Sequence, residues 1–299
     1  MQPRPLVRSA TGVDAAGADA AAEAEAYCAR LTRGHYENFP VASLLVPGDL
    51  RPAVRAIYAF ARTADDFADE PEHEGRRLAL LGAWERMLRD AFEGRADQPI
   101  FVALAQAAAR HRLPLRPFLD LLTAFRLDVT KTSYADFAEL RDYCRLSADP
   151  VGRLMLHLFG VDEPDLLPLS DALCTGLQLA NHWQDVRDDR LRGRVYIPRD
   201  AMRRHGVSES DLDAPRAGAG FAALMGELVT QARGLFGTAR PLPRLAGGRL
   251  GWQLRLTWLA GMRILEKIDA AGGDVLGRPP RLGYGDTAVL AGRAAAWRG

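Results

Sequence analysis

Two acidic stretches stand about 120 residues apart in the sequence. Residues 65–70 read DDFADE, here called the first acidic cluster, and residues 181–189 read NHWQDVRDD, the second acidic cluster. If the first is helical, Asp65 and Asp69 share one face, because positions i and i+4 are neighbours on a helix. The same spacing would align Asn181, Asp185 and Asp189. Oxygen ligands suit Mg²⁺, so the pattern predicts a magnesium site with one cluster on each wall.

A solvated helix end is the alternative explanation for either cluster alone. Like charges at i,i+4 destabilise a helix by about 0.2–0.5 kcal/mol a pair. Pro71 and Gly193 place both clusters near helix C-termini, where the dipole favours cations by about 0.3–1 kcal/mol. Arg62, one turn before Asp65, is the only cation expected to relieve the first cluster. The second has its own arginines, which are Arg187, Arg190 and Arg192. A bound cation would relieve both clusters.

The bulk composition limits the class of protein. The chain has 299 residues, is 48% hydrophobic and carries a formal net charge of +1. That length supports one large domain or two small ones, and near-neutral charge predicts no nucleic-acid partner. The three cysteines, Cys28, Cys144 and Cys174, are far apart and odd in number, which favours a reducing compartment. No apolar run is long enough to predict a membrane-spanning helix.

The elements that must position the clusters all read as helices. Helical spacing recurs between short Gly or Pro breaks, without an alternating strand, a repeat or an interdomain linker. A helix from Pro52 to Glu70 would carry the first cluster, and one starting at Ser170 would carry the second. We predict one all-α domain of roughly eight to eleven helices. Residues 1–17 would be a loose N-terminal tail and residues 18–299 the domain.

Several motifs resemble the squalene/phytoene synthase family. They are Phe39 with Leu45 and Pro47, RAIYAFARTADDFADE at 55–70, QLANHWQDVRDD at 178–189 and RVYIP at 194–198. The likeness covers roughly residues 27 to 270, in order and at similar spacing. It implies a single-domain, all-helical isoprenoid-synthase bundle around a central cavity. It also implies magnesium-dependent chemistry on a prenyl diphosphate, without a cysteine or histidine nucleophile.

The resemblance assigns roles by position. Asp65 and Asp69 would hold Mg²⁺ on one wall, opposite Asn181, Asp185 and Asp189. Arg62 and Arg194 would bind diphosphate oxygens, Tyr58 and Tyr196 would line the site, and Gln178 would support it. Diphosphate leaves readily when cations meet its developing charge, and the carbocation left behind needs a dry, apolar or aromatic cavity. Candidate lining residues, each equally explained as core, are Phe39, Val41, Leu44, Val151, Leu154 and Leu177.

Two departures from the family pattern are informative. Glu37 and Asn38 stand where a basic and a hydroxyl residue are usual, and residues 147–152 read SADPVG where VAGxVG is usual. Both resemble a bacterial branch, found in hopanoid pathways, that ionises presqualene diphosphate, rearranges the cyclopropyl cation and quenches it with water. The branch that quenches with hydride needs a nicotinamide cofactor, for which we find no credible motif. We hypothesise that Glu37 and Asn38, beside Phe39, help to position the attacking water.

Other functions stay open at this point. Head-to-head condensation of two prenyl diphosphates needs the same acidic clusters. A noncatalytic helical scaffold should have lost acids from one cluster, and a calcium-binding module should show a Gly-containing loop of alternating acids. Because substrate and product are strongly apolar, we expect a cytoplasmic protein that contacts the inner membrane. We also expect it to exchange substrate and product with neighbouring pathway enzymes.

Overall fold

A computed structural model describes residues 15–33, 45–161 and 163–297. Over these ranges the chain forms fourteen α-helices and no β-strand. The first seven are α1 (Ala15–Arg33), α2 (Arg51–Asp69), α3 (Arg77–Phe92), α4 (Pro99–His111), α5 (Arg116–Thr130), α6 (Phe137–Ser147) and α7 (Asp149–Leu158). The others are α8 (Leu167–Gln184), α9 (Val186–Leu191), α10 (Arg199–Arg204), α11 (Ala219–Ala239), α12 (Leu242–Ala246), α13 (Gly248–Ala270) and α14 (Tyr284–Ala295).

The predicted all-α architecture is confirmed. In the described part of the chain, eleven helices have ten or more residues. The other three, α9, α10 and α12, have only five or six, too few for a periodic pattern to reveal. None of the described helices is long and apolar enough to cross a bilayer. The proposed tail boundary at residue 17 stays a prediction, since residues 1–14 lie outside the described ranges.

An aromatic core fixes α2, the helix of the first acidic cluster. Phe60 is fully buried and packs edge-to-face on Phe118, with ring centroids 5.4 Å apart. Nε1 of Trp84 donates to the carbonyl of Phe60 at 3.3 Å, which ties α3 to α2. The buried face of α2 also carries small residues, including Ala64 and Ala68. Because that face is committed to the core, the stripe with Asp65 and Asp69 turns to the other side.

A second core surrounds α8, the helix that leads into the second acidic cluster. α8 packs closely along α11, and both contribute fully buried side chains, including Trp183 and Phe236. The expected single helix is interrupted: α8 ends at Gln184, Asp185 is a hinge residue with φ −103° and ψ 21°, and α9 follows. The backbone amide of Asp185 still donates to the carbonyl of Asn181, and the amide of Asp189 donates to the carbonyl of Asp185. The backbone hydrogen bonds between residues four apart in the cluster therefore survive the break.

The segment after α9 brings the two halves of the molecule together. Gly193 adopts φ +77°, a conformation that favours glycine, and ends the helix as predicted. The amide of Val195 then bonds to the carbonyl of Thr132, and that of Arg199 to the carbonyl of Tyr134. These bonds hold the RVYIP segment (194–198) against the end of α5, close to the C-terminus of α2.

Candidate active site

The first acidic cluster occupies the last turns of α2, where its carboxylates crowd together. Nη1 of Arg62 donates to Oδ2 of Asp65 at 3.1 Å, and its Nη2 lies 2.6 Å from Oδ1 of Asp66. Burial raises the pKa of Asp65 to about 6, and the charge of Asp69 adds to the shift. Tyr58 lies half-buried on the same helix. Because desolvation and like charge both oppose ionisation, this end of α2 would be stabilised by a further cation.

A guanidinium from the other half of the chain reaches this cluster. Nη2 of Arg194 donates to Oδ1 of Asp69 at 2.5 Å, and Nη1 of Arg192 lies 3.7 Å from Oδ2 of the same carboxylate. The expectation that Arg62 is the only cation near the first cluster is therefore wrong, because it considered a single helix.

The arginines of the second acidic cluster do not neutralise it, contrary to expectation. Arg187 donates to a backbone carbonyl at residue 276, and Arg190 pairs with both ends of the 3₁₀ turn Glu209–Asp213. Among the residues that the structure describes, a cation that does approach this cluster is Arg281, whose Nη2 lies 3.9 Å from Oδ2 of Asp188. Arg281 belongs to a loop near the C-terminus, so sequence proximity gave no sign of it.

Asp128, at the end of α5, is a site residue that the motifs did not reveal. Its Oδ1 accepts from the hydroxyl of Tyr196 at 2.9 Å and its Oδ2 from that of Tyr143 at 3.1 Å. Nε of Arg194 donates to its backbone carbonyl at 3.2 Å. Burial raises the pKa of the Asp128 carboxyl, while Arg194 opposes the rise. Asp128 therefore fixes the arginine and the tyrosine of the RVYIP segment at the same time.

His182 connects this network to the second cluster. Its ring stacks on Tyr196 with centroids 3.7 Å apart, and its Nδ1 lies 3.7 Å from Oδ2 of Asp189. Nε2 of Gln178 lies 3.1 Å from Nε2 of His182. A hollow of about 10 Å³ is lined by residues of the second cluster and of the RVYIP segment, among them His182, Asp189, Arg194 and Tyr196. The two acidic clusters thus lie in one continuous set of contacts.

The large cavity lies beside the second cluster. It has a volume of about 750 Å³ and is walled by residues from α6, α7, α8 and α13. Gln178, Asn181, Asp185 and Asp188 form its polar end, and Val151 and Leu177 contribute to its apolar part. Burial raises the pKa of Asp185, with Asp189 adding to the shift. The arrangement offers acid oxygens at one end and hydrocarbon at the other.

Not every predicted site residue lines this cavity. Leu154 is fully buried in the core of α1–α5, so its predicted role in the lining is wrong. Asp189 faces His182 and the small hollow, and Asp188 takes a place on the large cavity instead. The predictions made for Glu37, Asn38, Phe39, Val41 and Leu44 concern residues outside the described ranges.

The donor set fits magnesium that binds together with a phosphate ligand. Among the described residues, no three His, Cys, Asp or Glu side chains converge into a preformed metal site. Mg²⁺ commonly uses one or two carboxylates plus waters and substrate phosphates, and it seldom requires a cage made of protein alone. Oδ2 of Asp189 is buried without a hydrogen-bond partner in the described structure. Crowded carboxylates with raised pKa values match that chemistry, in which the diphosphate would complete the coordination.

Comparison with known proteins agrees with this geometry. The family model described as squalene/phytoene synthase matches residues 32–284. Hydroxysqualene synthase of Rhodopseudomonas palustris is 40% identical over 236 residues, which is 78% of this chain and 79% of that protein. The crystal structure of squalene synthase HpnC from Alicyclobacillus acidocaldarius is 45% identical, with a TM-score of 0.80 over 84% of this chain and 95% of that one.

A ligand-bound dehydrosqualene synthase superposes with a TM-score of 0.84 at 25% identity, over 94% of this chain and 98% of that one. That shared fold covers a larger part of this chain than the 78% matched by the relative from Rhodopseudomonas palustris. The chain belongs to the squalene/phytoene synthase family.

Proposed function

We propose that this chain is a hydroxysqualene synthase. It would ionise presqualene diphosphate with Mg²⁺, rearrange the cyclopropyl cation and add water, releasing hydroxysqualene and diphosphate. The observation that carries the proposal is the contact between Asp69 and Arg194, which joins two remote acidic clusters. The second of these clusters also lines the large cavity, through Asn181 and Asp185. The relatives named hydroxysqualene synthase support the choice of product, as does the SADPVG stretch. The reaction is a carbon–oxygen lyase step in hopanoid biosynthesis.

The residues of the chain supply orientation and charge. Bound Mg²⁺ would neutralise the developing negative charge of the leaving diphosphate. Arg62 and Arg194 offer guanidinium groups that suit phosphate oxygens, and Asp128 holds Arg194 in place. The substrate's hydrocarbon would occupy the apolar part of the cavity, whose volume of about 750 Å³ lies in the usual range of ligand sites. The proposed reaction requires that bulk water be kept from the carbocation in that part of the cavity.

Head-to-head condensation is the second candidate, because the same ionisation begins it. Purified protein should be incubated with either presqualene diphosphate or farnesyl diphosphate, with and without Mg²⁺, and the organic products analysed. We expect an alcohol from presqualene diphosphate only when Mg²⁺ is present. An Asp69→Asn variant should release no diphosphate. Conversion of farnesyl diphosphate to presqualene diphosphate, with no alcohol from either substrate, would favour the prenyltransferase. A folded chain that turns over neither substrate would favour a scaffold.

We also propose that the protein works in the cytoplasm at the surface of the inner membrane, from which it would take its apolar substrate. The corner between α12 and α13 exposes Leu245 (53%) and Trp252 (45%) beside Arg244 and Arg249. Apolar and cationic side chains together favour an anionic lipid surface. In a flotation assay with liposomes that contain anionic lipid, the wild type should float with the liposomes, whereas a Leu245→Asp/Trp252→Ala variant should stay in the dense fraction. Wild-type protein that never floats would rule this out. Exchange with neighbouring pathway enzymes stays a prediction.

A further inference from the structure

One cation lies on the wall of the large cavity. Among the described residues that line this cavity, the single positively charged side chain is Arg281, on the loop of residues 271–283 between α13 and α14. Arg62 and Arg194, the two arginines that the resemblance assigns to diphosphate, are not part of the lining. An anionic ligand in the large cavity would therefore meet Arg281 first.

Arg281 lies at the polar end of the cavity, beside the second acidic cluster. Its Nη2 is 3.9 Å from Oδ2 of Asp188, and both residues line the cavity together with Asn181 and Asp185. Burial raises the pKa of the Asp185 carboxyl, and the charge of Arg281 opposes the rise. The guanidinium is therefore close to the oxygen ligands on which we expect Mg²⁺ to bind.

The guanidinium of Arg281 is not committed to Asp188. A separation of 3.9 Å is longer than a hydrogen bond, and the two side chains keep 73% and 47% of their surface exposed. An ion pair as exposed as this contributes little to stability, so Arg281 can exchange it for a phosphate at small cost. Arg62 and Arg194, in contrast, already donate to carboxylates of the first acidic cluster.

The loop that carries Arg281 is held from both sides. Nη1 of Arg187, on α9, donates to the carbonyl of Leu276 at 3.1 Å. Nζ of Lys267, on α13, donates to the carbonyl of Arg281 itself at 3.0 Å. The prolines at residues 279–280 come directly before Arg281, and their rings fix φ. The backbone of Arg281 is therefore anchored near the second cluster, whereas its side chain is free to reorient.

We propose that Arg281 binds the diphosphate of the substrate from the side of the second acidic cluster, an inference that rests on the proposed function. Its planar guanidinium would leave Asp188 and donate to phosphate oxygens, a geometry that arginine suits. Asn181 and Asp185 would reach the same diphosphate through Mg²⁺. Arg194 would approach it from the side of the first cluster. The contact of Arg281 is a charged hydrogen bond, in which no covalent bond forms or breaks.

Binding of inorganic diphosphate in the presence of Mg²⁺, measured by isothermal titration calorimetry, tests this role. The proteins are wild type, Arg281→Gln, Arg281→Lys and the control Arg203→Gln. Arg203 is an exposed residue of α10 that does not line the cavity. We expect Kd to rise about tenfold in Arg281→Gln, the lower end of the effect of losing a hydrogen bond to a charged group. Arg281→Lys keeps the charge without the planar fork and should recover part of the affinity.

The control and the folding check decide the meaning of that result. Arg203→Gln removes the same charge elsewhere and should bind as wild type does. Equal Kd values for wild type and Arg281→Gln, an equal loss in Arg203→Gln, or a wild type that binds no diphosphate with Mg²⁺ would each overturn the role of Arg281. Since the Arg281 side chain is largely exposed, the melting temperatures should agree, and a large drop in Arg281→Gln would count against a binding role.

The proposed function is tested separately by its product. A wild type that forms no alcohol from presqualene diphosphate overturns that function even if Arg281→Gln weakens binding of diphosphate. Unchanged binding in Arg281→Gln, with alcohol formed by the wild type, overturns only the role of Arg281.

Discussion

Nη2 of Arg194 donates to Oδ1 of Asp69 across 125 residues of sequence. Both side chains are largely buried, with 11% and 16% of their surface exposed. A buried pair of this kind is costly to break, because removal of one partner leaves an uncompensated charge. The contact also fixes the spatial relation of the two acidic clusters, since Arg194 follows the second cluster and Asp69 belongs to the first.

Replacing Arg194 should therefore impair ionisation more than binding of the hydrocarbon. We expect Arg194→Gln to lower the rate of diphosphate release by about 10²–10³-fold, the usual effect of removing one preorganised donor from a developing anion. Single-turnover release of diphosphate is the measurement. Arg190→Gln is the matched control, because Arg190 bonds only to exposed acids of the 3₁₀ turn in the described structure. Equal rates for Arg194→Gln and wild type would contradict the role given to Arg194.

Magnesium should stabilise the protein mainly when a diphosphate is also present. The described acids form no complete metal site, so in the proposed site the diphosphate oxygens and waters would supply the ligands that the protein lacks. At a ligand concentration 100 times Kd, the gain is about 2.7 kcal/mol, which corresponds to a rise of several degrees in Tm. Thermal unfolding with Mg²⁺, with a nonhydrolysable diphosphate, and with both would measure it.

Variants test which acids take part in this stabilisation. Asp69→Asn and Asp185→Asn should each abolish the joint effect, whereas Asp165→Asn, on the exposed turn before α8, should keep it. A full shift with Mg²⁺ alone, in the absence of diphosphate, would instead identify a simple cation binder.

Asp149 should make stability fall as pH rises. Burial raises the pKa of this carboxyl to about 7, whereas an unfolded aspartate titrates near about 3.9. The folded state binds the proton more tightly, so the contribution is fully present below the unfolded pKa and is lost as pH rises through about 7. Asp149→Asn keeps an acceptor for Thr175 but cannot ionise. Its Tm should exceed that of wild type by a few degrees at pH 8 and equal it at pH 4. A constant difference across that range would exclude Asp149 as the titrating group.

Gly261 allows α13 to approach α8 and α11. A Cβ at this position would lie 2.4 Å from Cζ of Phe236 and 2.8 Å from Cδ2 of Leu177. Gly261→Ala should therefore lower the free energy of unfolding by about 1–3 kcal/mol, as expected for overpacking. It should also narrow the cavity that Gly261 lines. Gly234→Ala in the exposed interior of α11, with no atom within 4 Å of the new methyl, should instead gain up to about 1 kcal/mol. Denaturant titration of both variants would test the contrast, and equal stabilities would contradict it.

The sequence by itself determined the long helices, the two acidic clusters and the family. These features depend on local periodicity, on glycine and proline breaks, and on residues within one or two turns of each other, all of which can be read along a chain. Asp65 and Asp69, or Asn181 and Asp185, stack at i,i+4 wherever their helices lie. The interruption at Asp185 was not foreseen, because one irregular residue leaves the spacing almost unchanged.

The tertiary structure alone decided which groups meet between the clusters. Three contacts here join residues far apart in sequence. They are the hydrogen bonds of Arg194 to Asp69 and of Tyr196 to Asp128, and the approach of Arg281 to Asp188. Local patterns fix the direction in which a side chain leaves its own helix, whereas its partner depends on how the buried faces of all the helices pack together.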